Sequence, residues 1–236
     1  MNKNLEINVV ILAGGLGSRV KSLFPNLPKP LILVQGKPFI TYIFDQLINF
    51  HIKNVTICIG YNYLKFKEII GNNYKSLKIS YSEEYEPMGT GGALKLIKFE
   101  KSEKKCLILN GDSYVNFNLN KLLKEHSEKK SKISVVLSKV SNRSRFGSII
   151  INSINEITSF MEKSISREKG YINAGVYLFN SEVFDEIPNR IPFSLELEFF
   201  PKQVGQRLNG FICNGKFIDI GTPSSFKKAS QCTFCE

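Results

Sequence analysis

The sequence predicts an α/β fold whose core is a doubly wound, mixed but mostly parallel sheet. Strand-like apolar runs alternate with segments of helical period in the first half of the chain, and strand-like runs follow one another closely in the second half. Glycine-rich or acidic turns come directly after several of these runs. Alternating strands and helices build a parallel sheet that binds ligands at the C-terminal ends of its strands, so we expect a Rossmann-like architecture.

The first half contains four predicted strands, each followed by a predicted helix. Pro38 suits the first turn of a helix, and the apolar residues after it recur at the helical spacing. Gly71 is expected to close one helix, Thr90 to cap another, and Asn118 or Asn120 to lie near the cap of a third. The predicted strands are residues 7–13, 55–60, 77–82 and 106–110, and the predicted helices are residues 38–50, 64–70, 91–98 and 119–130.

The second half is richer in strands and shows no composition break, repeat or low-complexity segment, so we expect one domain. Strands are predicted at residues 133–140, 147–151, 156–161 and 171–180, with two short ones around Phe211 and at 217–220. Helices are predicted at residues 181–187 and 195–204, and a terminal helix is predicted after Pro223.

Length and charge limit the classes of function. A chain of 236 residues is long enough for one α/β domain with a substantial core. The formal net charge is +11, but the lysines are spread along the chain, which favours a site for anionic small molecules over nucleic-acid binding. No apolar run reaches the roughly 20 residues of a membrane span, and residues 1–6 lack the apolar core of a signal peptide. We expect a cytoplasmic protein that binds neither nucleic acid nor membrane.

The cysteines and histidines do not suggest a catalytic network. Cys58, Cys106 and Cys213 lie in strand-like runs and are expected to pack as small hydrophobic residues. A C-x-x-C pair at residues 232 and 235 has no second pair near it, so we expect a frayed tail with reduced thiols rather than a zinc site. His51 and His126 are both expected at the surface, and no Gly-x-Ser-x-Gly pattern occurs.

A glycine-rich turn after the first strand is the most informative feature. The apolar run at residues 9–13 ends in GGLG at residues 14–17, and Arg19 and Lys29 follow. Glycines let backbone N–H groups face an anion, and the two cations add positive charge beside them. The turn lacks the Gly-Lys-Ser/Thr of a Walker loop and the G-x-G-x-x-G spacing of a dinucleotide site. It is therefore predicted to bind a polyphosphate of another class.

Two aspartates are placed to bind a metal ion. Asp112 follows the strand at residues 106–110, and Asp219 lies at the end of the short strand at residues 217–220. Each alone is typical of a turn or a helix cap. Together they could share one Mg²⁺, with phosphate oxygens and waters completing its coordination.

The string LAGGLGSR at residues 12–19, followed by PKPL at residues 28–31, resembles the signature of the sugar-1-phosphate nucleotidyltransferases. Ser18 and Val20 stand where that family usually has Thr and Leu. The resemblance covers about residues 7–228, with several motifs in the same order. It implies a nucleotide-diphospho-sugar transferase (GT-A-like) fold in a single domain, residues 1–236. About residues 1–130 would form the nucleotide-binding half, about 131–228 the sugar-phosphate-binding half, and 229–236 a tail.

The resemblance also implies roles for individual residues on the nucleotide side. Lys29 would stabilise charge at the α-phosphate, Arg19 would neutralise the leaving pyrophosphate, and Asp112 and Asp219 would hold Mg²⁺. The segment EPMGTGGA at residues 86–93 would pack against the nucleobase, and it looks especially like the heptose 1-phosphate guanylyltransferases. The predicted nucleotide-binding residues are Leu12, Ala13, Gly14, Gly15, Gly17, Ser18, Glu86, Gly89, Thr90 and Asp112.

The acceptor side is implied in the same way. Glu162 would contact sugar hydroxyls and Lys163 the sugar phosphate, although Ser164 replaces the proline that the family has next. Asn173 would bond sugar hydroxyls, while Gly175 would let the ring approach the backbone. The predicted sugar-phosphate-binding residues are Gly111, Glu162, Lys163, Asn173, Gly175 and Glu196.

The predicted function is Mg²⁺-dependent transfer of a nucleotidyl group from an NTP, expected to be GTP, to a sugar 1-phosphate, expected to be D-glycero-D-manno-heptose 1-phosphate. Mannose 1-phosphate as acceptor and a UTP-dependent amino-sugar-1-phosphate enzyme stay open as alternatives, as does a homodimer. A non-catalytic subunit that senses nucleotide sugars would not need Arg19, Lys29, Asp112 and Asp219 together. A nucleotide-sugar-using glycosyltransferase is expected to carry Asp-x-Asp, which does not occur in the chain.

Overall fold

A ten-stranded mixed sheet forms the centre of the computed structural model, which describes residues 7–15, 20, 23–60, 62–97, 104–161 and 167–234. Two further pairs of short strands lie beside it. The strands are Asn8–Leu12 (β1), Leu33–Val34 (β2), Lys37–Pro38 (β3), Asn54–Ile59 (β4), Asn73–Tyr74 (β5), Leu77–Glu83 (β6), Lys105–Asn110 (β7), Ser113–Val115 (β8), Ile133–Val140 (β9), Ser148–Ile151 (β10), Ile157–Met161 (β11), Gly170–Asn180 (β12), Leu208–Cys213 (β13) and Phe217–Asp219 (β14).

The helices pack on the faces of this sheet. They are Ile40–Asn49 (α1), Tyr63–Ile69 (α2), Gly89–Lys95 (α3), Leu119–Glu128 (α4), Val183–Glu186 (α5), Phe200–Gln203 (α6) and Pro223–Ala229 (α7). A 3₁₀ turn, Lys29–Leu31, and a π-helical turn, Leu195–Phe199, complete the regular structure of the described residues.

The order of the parallel strands places the site. β7, β1, β4 and β6 are neighbours in that order and run parallel. The chain leaves β1 toward β4 and β6 and then returns to the other side of β1 as β7. Ligands bind at such a reversal, outside the C-terminal ends of the two strands. The glycine turn follows β1 and Asp112 follows β7, so both lie at this reversal.

The second half of the chain extends the same sheet in antiparallel fashion. β12 pairs antiparallel with β7, with β9 and with β10, and β13 joins β9 in parallel. Alternate residues of β1 point to opposite faces, so Val9 and Ile11 lie in one apolar cluster and Val10 in the other. Both faces of the central strands are therefore buried, as the continuous apolar runs of the sequence predicted. The predicted mixed, mostly parallel doubly wound fold is confirmed.

The predicted helices are present, but the starts of two differ for identifiable reasons. Pro38 pairs with Leu33 in a hairpin of β2 and β3, so α1 begins at Ile40 rather than at the proline. The prediction of Thr90 as an N-cap is wrong, because α3 begins at Gly89 after Met88. Asn118 is confirmed as the cap of α4, where its side chain accepts a hydrogen bond from Lys121 N.

His126 is buried, so its predicted place at the surface is wrong. The ring nitrogens lie 2.8 Å from Ser134 Oγ and 3.0 Å from Asn180 Oδ1. Burial lowers the pKa of His126, and the hydrogen bond with Asn180 offsets this only in part. The helical period places His126 on the inner face of α4, where a polar network replaces water. His51, by contrast, is exposed as predicted.

The tail is packed up to Phe234, so the expected frayed end is wrong for these residues. Phe234 is buried, and its ring stacks on Tyr42 at a centroid distance of 3.6 Å. Cys58, Cys106 and Cys213 are buried free thiols as predicted, while Cys235 lies outside the described residues. No helix of the described residues is long and apolar enough to cross a bilayer.

Candidate active site

The glycine turn begins a long cleft at the edge of the sheet. Ala13 N donates to Cys58 O at 2.8 Å, which holds the start of the turn on β4. Leu12, Ala13, Gly14 and Gly15 line the cleft, and their contacts with a nucleotide stay a prediction. Gly17, Ser18 and Arg19, for which phosphate contacts were predicted, lie outside the described residues.

Lys29 reaches the centre of the cleft from a short 3₁₀ turn. Pro28 and Pro30 flank it, and the turn buries most of the lysine side chain, which is 10% exposed. Its Nζ lies 2.6 Å from Asp112 Oδ2. Because a buried lysine stem restricts where the ammonium can go, the positive charge is held at one place in the cleft.

Asp112 and Asp219 meet because two short strands pair. β14 runs antiparallel to β8, with Asp219 opposite Ser113, and Ile220 N donates to Asp112 O at 3.2 Å. Residues more than 100 positions apart in the chain are thereby brought to one edge of the cleft. Lys29 Nζ is 3.6 Å from where a Cβ on Gly221 would be, so it also lies near the turn that follows Asp219.

The start of α7 fixes the Asp219 carboxylate. Its Oδ2 accepts hydrogen bonds from Gly221 N at 3.0 Å and from Ser225 Oγ at 2.9 Å. Ser225 also forms a reciprocal capping box with Thr222. The same residues that begin the helix therefore orient the carboxylate, which the Asp-x-Gly-Thr-Pro motif alone did not reveal.

Arg145 is a site residue that the sequence did not indicate. Its Nη2 lies 3.0 Å from Asp219 Oδ2, and its guanidinium stacks over Phe146 at 5.2 Å. Phe146 in turn packs edge-on against Phe217. Arg145 lies in the polar loop between β9 and β10, where no local pattern distinguishes it from other surface residues. Each aspartate of the cleft thus has a cation as its partner.

The chemistry of the two carboxylates fits a magnesium ion. Mg²⁺ is usually bound by one or two protein carboxylates, with substrate phosphates and water supplying the other ligands. Within the described residues no cluster of three or more His, Cys, Asp or Glu side chains surrounds a common point. Asp112 and Asp219 therefore suit a cation that binds together with a phosphate ligand.

Two of the predicted acceptor residues, Asn173 and Glu196, belong to one hydrogen-bond network. Glu196 Oε2 accepts from Thr90 Oγ1 at 2.6 Å, and Glu196 Oε1 accepts from Tyr177 OH at 3.1 Å. Asn173 Nδ2 donates to Tyr177 OH at 2.8 Å. The network fixes Asn173 and Glu196 in the same cavity as Asp112. Asn173 and Glu196 are 23 positions apart in the sequence. Glu162 and Lys163, also predicted on this side, lie outside the described residues.

Two glycines of the predicted set serve close packing. Gly175 has φ +75° in the bulged part of β12, and a Cβ there would lie 2.6 Å from Ser113 Oγ. Gly111 N donates to Leu12 O at 2.8 Å, and a Cβ on Gly111 would lie 3.2 Å from Pro30. Their predicted sugar contacts stay predictions, but Gly111 lets the backbone approach Leu12 of β1, and Gly175 leaves room for the side chains of Ser113 and Asn110.

The segment from Met88 to Gly92 contributes Met88, Gly89 and Thr90 to the wall of the cleft. Gly91 N and Gly92 N donate to Phe193 O at 2.8 and 3.2 Å, and Phe193 N donates to Met88 O at 2.8 Å. Gly89 has φ +75°, and a Cβ there would lie 2.9 Å from the Phe193 carbonyl carbon. The glycines of the segment predicted to pack against a base are thus also needed for its close packing against Phe193.

Glu84, directly after β6, is a second residue that the sequence did not indicate. A Cβ on Gly14 would lie 2.9 Å from Glu84 Cδ, so the carboxylate presses against the glycine turn. Burial raises the pKa of the Glu84 carboxyl, and a hydrogen bond from Met88 N at 3.3 Å opposes this only in part. Glu86, which was predicted to bind nucleotide, is exposed and also lines the cleft. Glu83, Glu84 and Glu86 all line the cleft, and a local pattern could not tell which of them lies against the glycine turn.

Three adjoining cavities of about 310 Å³ each make up the cleft. The central lobe is lined by Gly14, Lys29, Met88 and Gly89, the aspartate lobe by Asp112, Asp219, Asn173 and Glu196, and the tyrosine lobe by Tyr63, Glu84, Tyr85 and Pro87.

The shared walls show how the lobes connect. Lys29, Thr90 and Asp112 line both the central and the aspartate lobes, while Gly14 and Glu84 line both the central and the tyrosine lobes. The cleft is therefore long enough for two ligands to meet at Lys29, one on each side.

Comparisons with known proteins agree with this geometry. The family model described as Nucleotidyl transferase matches residues 8–234. A D-glycero-alpha-D-manno-heptose 1-phosphate guanylyltransferase of Aneurinibacillus thermoaerophilus is 35% identical over 226 residues, covering 95% of this chain and 97% of that protein. The protein of the same description from Campylobacter jejuni is 35% identical over 222 residues, covering 93% and 97%.

A solved structure shows the same architecture. HddC from Yersinia pseudotuberculosis, complexed with GMP-PN, superposes with a TM-score of 0.80 at 32% identity, covering 95% of this chain and 98% of that one. The predicted family is confirmed by a match over nearly the whole chain, by relatives above 30% identity and by the shared fold. The chain belongs to the nucleotidyl transferase family.

Proposed function

We propose that the enzyme transfers GMP from GTP to D-glycero-D-manno-heptose 1-phosphate, releasing pyrophosphate. The observation that carries this proposal is the position of Lys29 and Asp112, which line both the central and the aspartate lobes. A nucleotide in the central lobe and a sugar phosphate in the aspartate lobe would meet beside these two charges. The relatives at 35% identity, matched over almost their full length, support heptose 1-phosphate and GTP as the pair.

The reaction is a single in-line displacement. An oxygen of the sugar 1-phosphate attacks the α-phosphorus of GTP and forms a new P–O bond. The bond from the α-phosphorus to the bridging oxygen breaks, and pyrophosphate leaves with that electron pair. The attacking phosphate is already ionised, so no side chain has to remove a proton from it. Positioning and charge neutralisation carry the rate.

Lys29 has the central electrostatic role. Its ammonium is fixed at the boundary of the two lobes and would offset the negative charge that grows on the α-phosphate oxygens. Asp112 and Asp219 would hold Mg²⁺, which supplies charge neutralisation to phosphate oxygens when bound. Arg19 and the glycine turn would bind the triphosphate, and Lys163 would bind the incoming sugar phosphate.

The sugar would lie over the Asn173–Glu196 network. Both side chains are held by hydrogen bonds to Tyr177 and Thr90, so they present fixed polar atoms at the aspartate lobe. Glu162 would add a contact to sugar hydroxyls. Rigid polar groups of this kind suit a polyhydroxylated ligand, because each hydroxyl needs a partner of defined direction.

The product would feed synthesis of a surface polysaccharide such as lipopolysaccharide or capsule. The cytoplasmic location, where nucleoside triphosphates are available, remains part of this proposal, as does a homodimer. No binding of nucleic acid or membrane is proposed.

The test is pyrophosphate release by the purified protein with Mg²⁺. GTP, UTP, CTP, dTTP and ATP are combined with heptose, mannose, glucose and N-acetylated amino-sugar 1-phosphates. Turnover with GTP and the heptose phosphate at the highest kcat/KM is the expected result. Higher turnover with another pair would assign that pair as the substrates. Nucleotide binding without any turnover would favour a non-catalytic sensing subunit over an enzyme.

A further inference from the structure

Arg145 is a cation that faces the aspartate lobe but not the central lobe. Among the described residues that line the aspartate lobe are two cations, Lys29 and Arg145, and three acids, Asp112, Glu196 and Asp219. Lys29 also lines the central lobe, whereas Arg145 does not. Three carboxylates repel an incoming phosphate unless cations neutralise its charge. Arg145 is therefore placed to act on the ligand of the aspartate lobe.

The Arg145 guanidinium uses only one of its nitrogens for Asp219. Nη2 lies 3.0 Å from Asp219 Oδ2 and 3.4 Å from Oδ1, so both contacts come from the same end of the group. In the part of the chain that the structure describes, Nη1 and Nε of Arg145 donate no hydrogen bond to another residue. A guanidinium can bind a phosphate through two parallel hydrogen bonds. Arg145 could therefore bind a phosphate more strongly than it binds Asp219.

Asp219 does not depend on Arg145 for its orientation. Its Oδ2 also accepts hydrogen bonds from Gly221 N at 3.0 Å and from Ser225 Oγ at 2.9 Å, both at the start of α7. The contact of Oδ1 with Arg145, at 3.4 Å, is the one hydrogen bond that this oxygen makes with the described residues. When Arg145 leaves, the carboxylate therefore keeps its place, and Oδ1 becomes available to another cation.

The chain is anchored on both sides of Arg145. Arg143 Nε donates to Glu168 O at 3.3 Å, and the Arg143 side chain is largely buried. Phe146 packs edge-on against Phe217, with ring centroids 5.6 Å apart. The Arg145 side chain is 38% exposed, and its guanidinium lies 5.2 Å from the centre of the Phe146 ring. A change of partner therefore requires the rotation of one side chain and no movement of the loop.

We propose that Arg145 exchanges partners during the reaction cycle. It pairs with Asp219 in the absence of acceptor, and it turns to the phosphate of the sugar 1-phosphate when the acceptor binds, which frees Asp219 for the divalent cation. Acceptor and cation each weaken the ion pair that opposes the other, so the two bind cooperatively. The cation site is then complete only when the acceptor is present, which gives water less opportunity to attack GTP. This inference rests on the proposed function and adds an order of assembly to it.

The first experiment measures Mn²⁺ binding to the wild-type protein by electron paramagnetic resonance, without nucleotide, so that no turnover occurs. The titration is made without ligand, with saturating D-glycero-D-manno-heptose 1-phosphate, and with saturating methyl phosphate, a phosphate monoester that carries no sugar. An exposed ion pair that competes for the carboxylate weakens Mn²⁺ binding about fivefold. Each phosphate should therefore tighten Mn²⁺ binding by at least that factor. A Mn²⁺ affinity that neither phosphate changes overturns the proposal.

The second experiment separates the exchange from direct contact between phosphate and Mn²⁺. In Arg145→Gln, Asp219 has no ion pair to lose, so the factor by which phosphate tightens Mn²⁺ binding should be about fivefold smaller than in wild type. Arg190→Gln is the matched control and should keep the wild-type factor. Arg190 also pairs with a carboxylate, that of Glu198, and lies 5.1 Å from an aromatic ring, but it does not line the aspartate lobe. If Arg145 has only a structural role, Arg145→Gln changes Mn²⁺ binding equally with and without phosphate, and the proposal is wrong.

The outcomes separate this inference from the proposed function. Turnover of another substrate pair, or of none, together with the smaller factor in Arg145→Gln, overturns the proposed function and supports the exchange, because methyl phosphate tests the exchange without a sugar. Turnover of GTP with the heptose phosphate, together with the same factor in wild type and Arg145→Gln, leaves the proposed function intact and overturns the exchange.

Discussion

Replacing Lys29 by methionine is expected to abolish most of the activity while leaving the fold intact. Methionine keeps an unbranched stem in the buried 3₁₀ turn and removes only the charge. If the ammonium stabilises the charge that develops at the α-phosphate, its loss costs about 3–4 kcal/mol of transition-state stabilisation, a 10²- to 10³-fold fall in kcat/KM.

The effect on stability is expected to be much smaller. The partner carboxylate of Asp112 is 40% exposed, so water solvates it once Lys29 is gone. Solvent screening at such a site limits the loss to about 1 kcal/mol of the free energy of unfolding. Activity and stability therefore respond by different amounts, and that difference identifies a role in catalysis.

The assay is pyrophosphate release under single turnover, together with unfolding in urea. Lys37→Met is the matched control, because Lys37 pairs with Asp45 at 2.8 Å on α1, outside the cleft. It should lose about as much stability and no activity. A Lys29→Met enzyme within threefold of wild type, or one whose lost activity equals its lost folded fraction, would refute the assignment.

Three further predictions concern the cleft and its support. Arg145→Gln frees Asp219 from its 3.0 Å ion pair and should tighten Mn²⁺ binding about fivefold, as measured by electron paramagnetic resonance without substrates. Unchanged or weaker Mn²⁺ binding would contradict the idea that Arg145 and the metal ion compete for the Asp219 carboxylate. Gly175→Ala, at φ +75° with no room for a Cβ, should destabilise the protein by about 2 kcal/mol more than Gly36→Ala, at φ +83° with open space around it. Equal losses in the free energy of unfolding in urea would show that the side chains around Gly175 move to accept the methyl group. His126 has a folded-state pKa below its usual 6.5, so the unfolded state binds a proton first as pH falls. The free energy of unfolding should be fully retained above about pH 6.5 and should decrease below it by at most about 1.4 kcal/mol per pH unit. A His126→Gln protein with the same pH dependence of unfolding would show that His126 is not the cause.

Much of the fold follows from local patterns. β9 has the bounds predicted from its apolar run, and α4 begins at Leu119 after the Asn118 cap as its polar start predicted. Such features depend on residues a few positions apart, whose spacing decides which face is buried. The start of α1 was predicted less well, because Pro38 is held by a hairpin whose two-residue strands are too short to show a period.

The candidate site likewise has parts that follow from local patterns and parts that depend on distant contacts. Motifs at residues 12–19 and 28–31 are contiguous, so the polyphosphate turn, Lys29 and the family could be predicted without coordinates. Asp112 and Asp219 could be named one by one. That they share an edge depends on the pairing of β8 with β14, an interaction between distant parts of the chain.

The sequence by itself therefore determined the α/β class and the family, and it predicted phosphate binding at the first turn, because each is encoded in short segments whose backbone geometry is local. Only the tertiary structure decided that His126 is buried, that Arg145 pairs with Asp219 and that Glu84 lies against the glycine turn. These three side chains sit in polar surroundings that look alike along the chain. Their roles come from the surfaces that fold against them, and the free energy of burying or pairing a charge exists only once those surfaces have met.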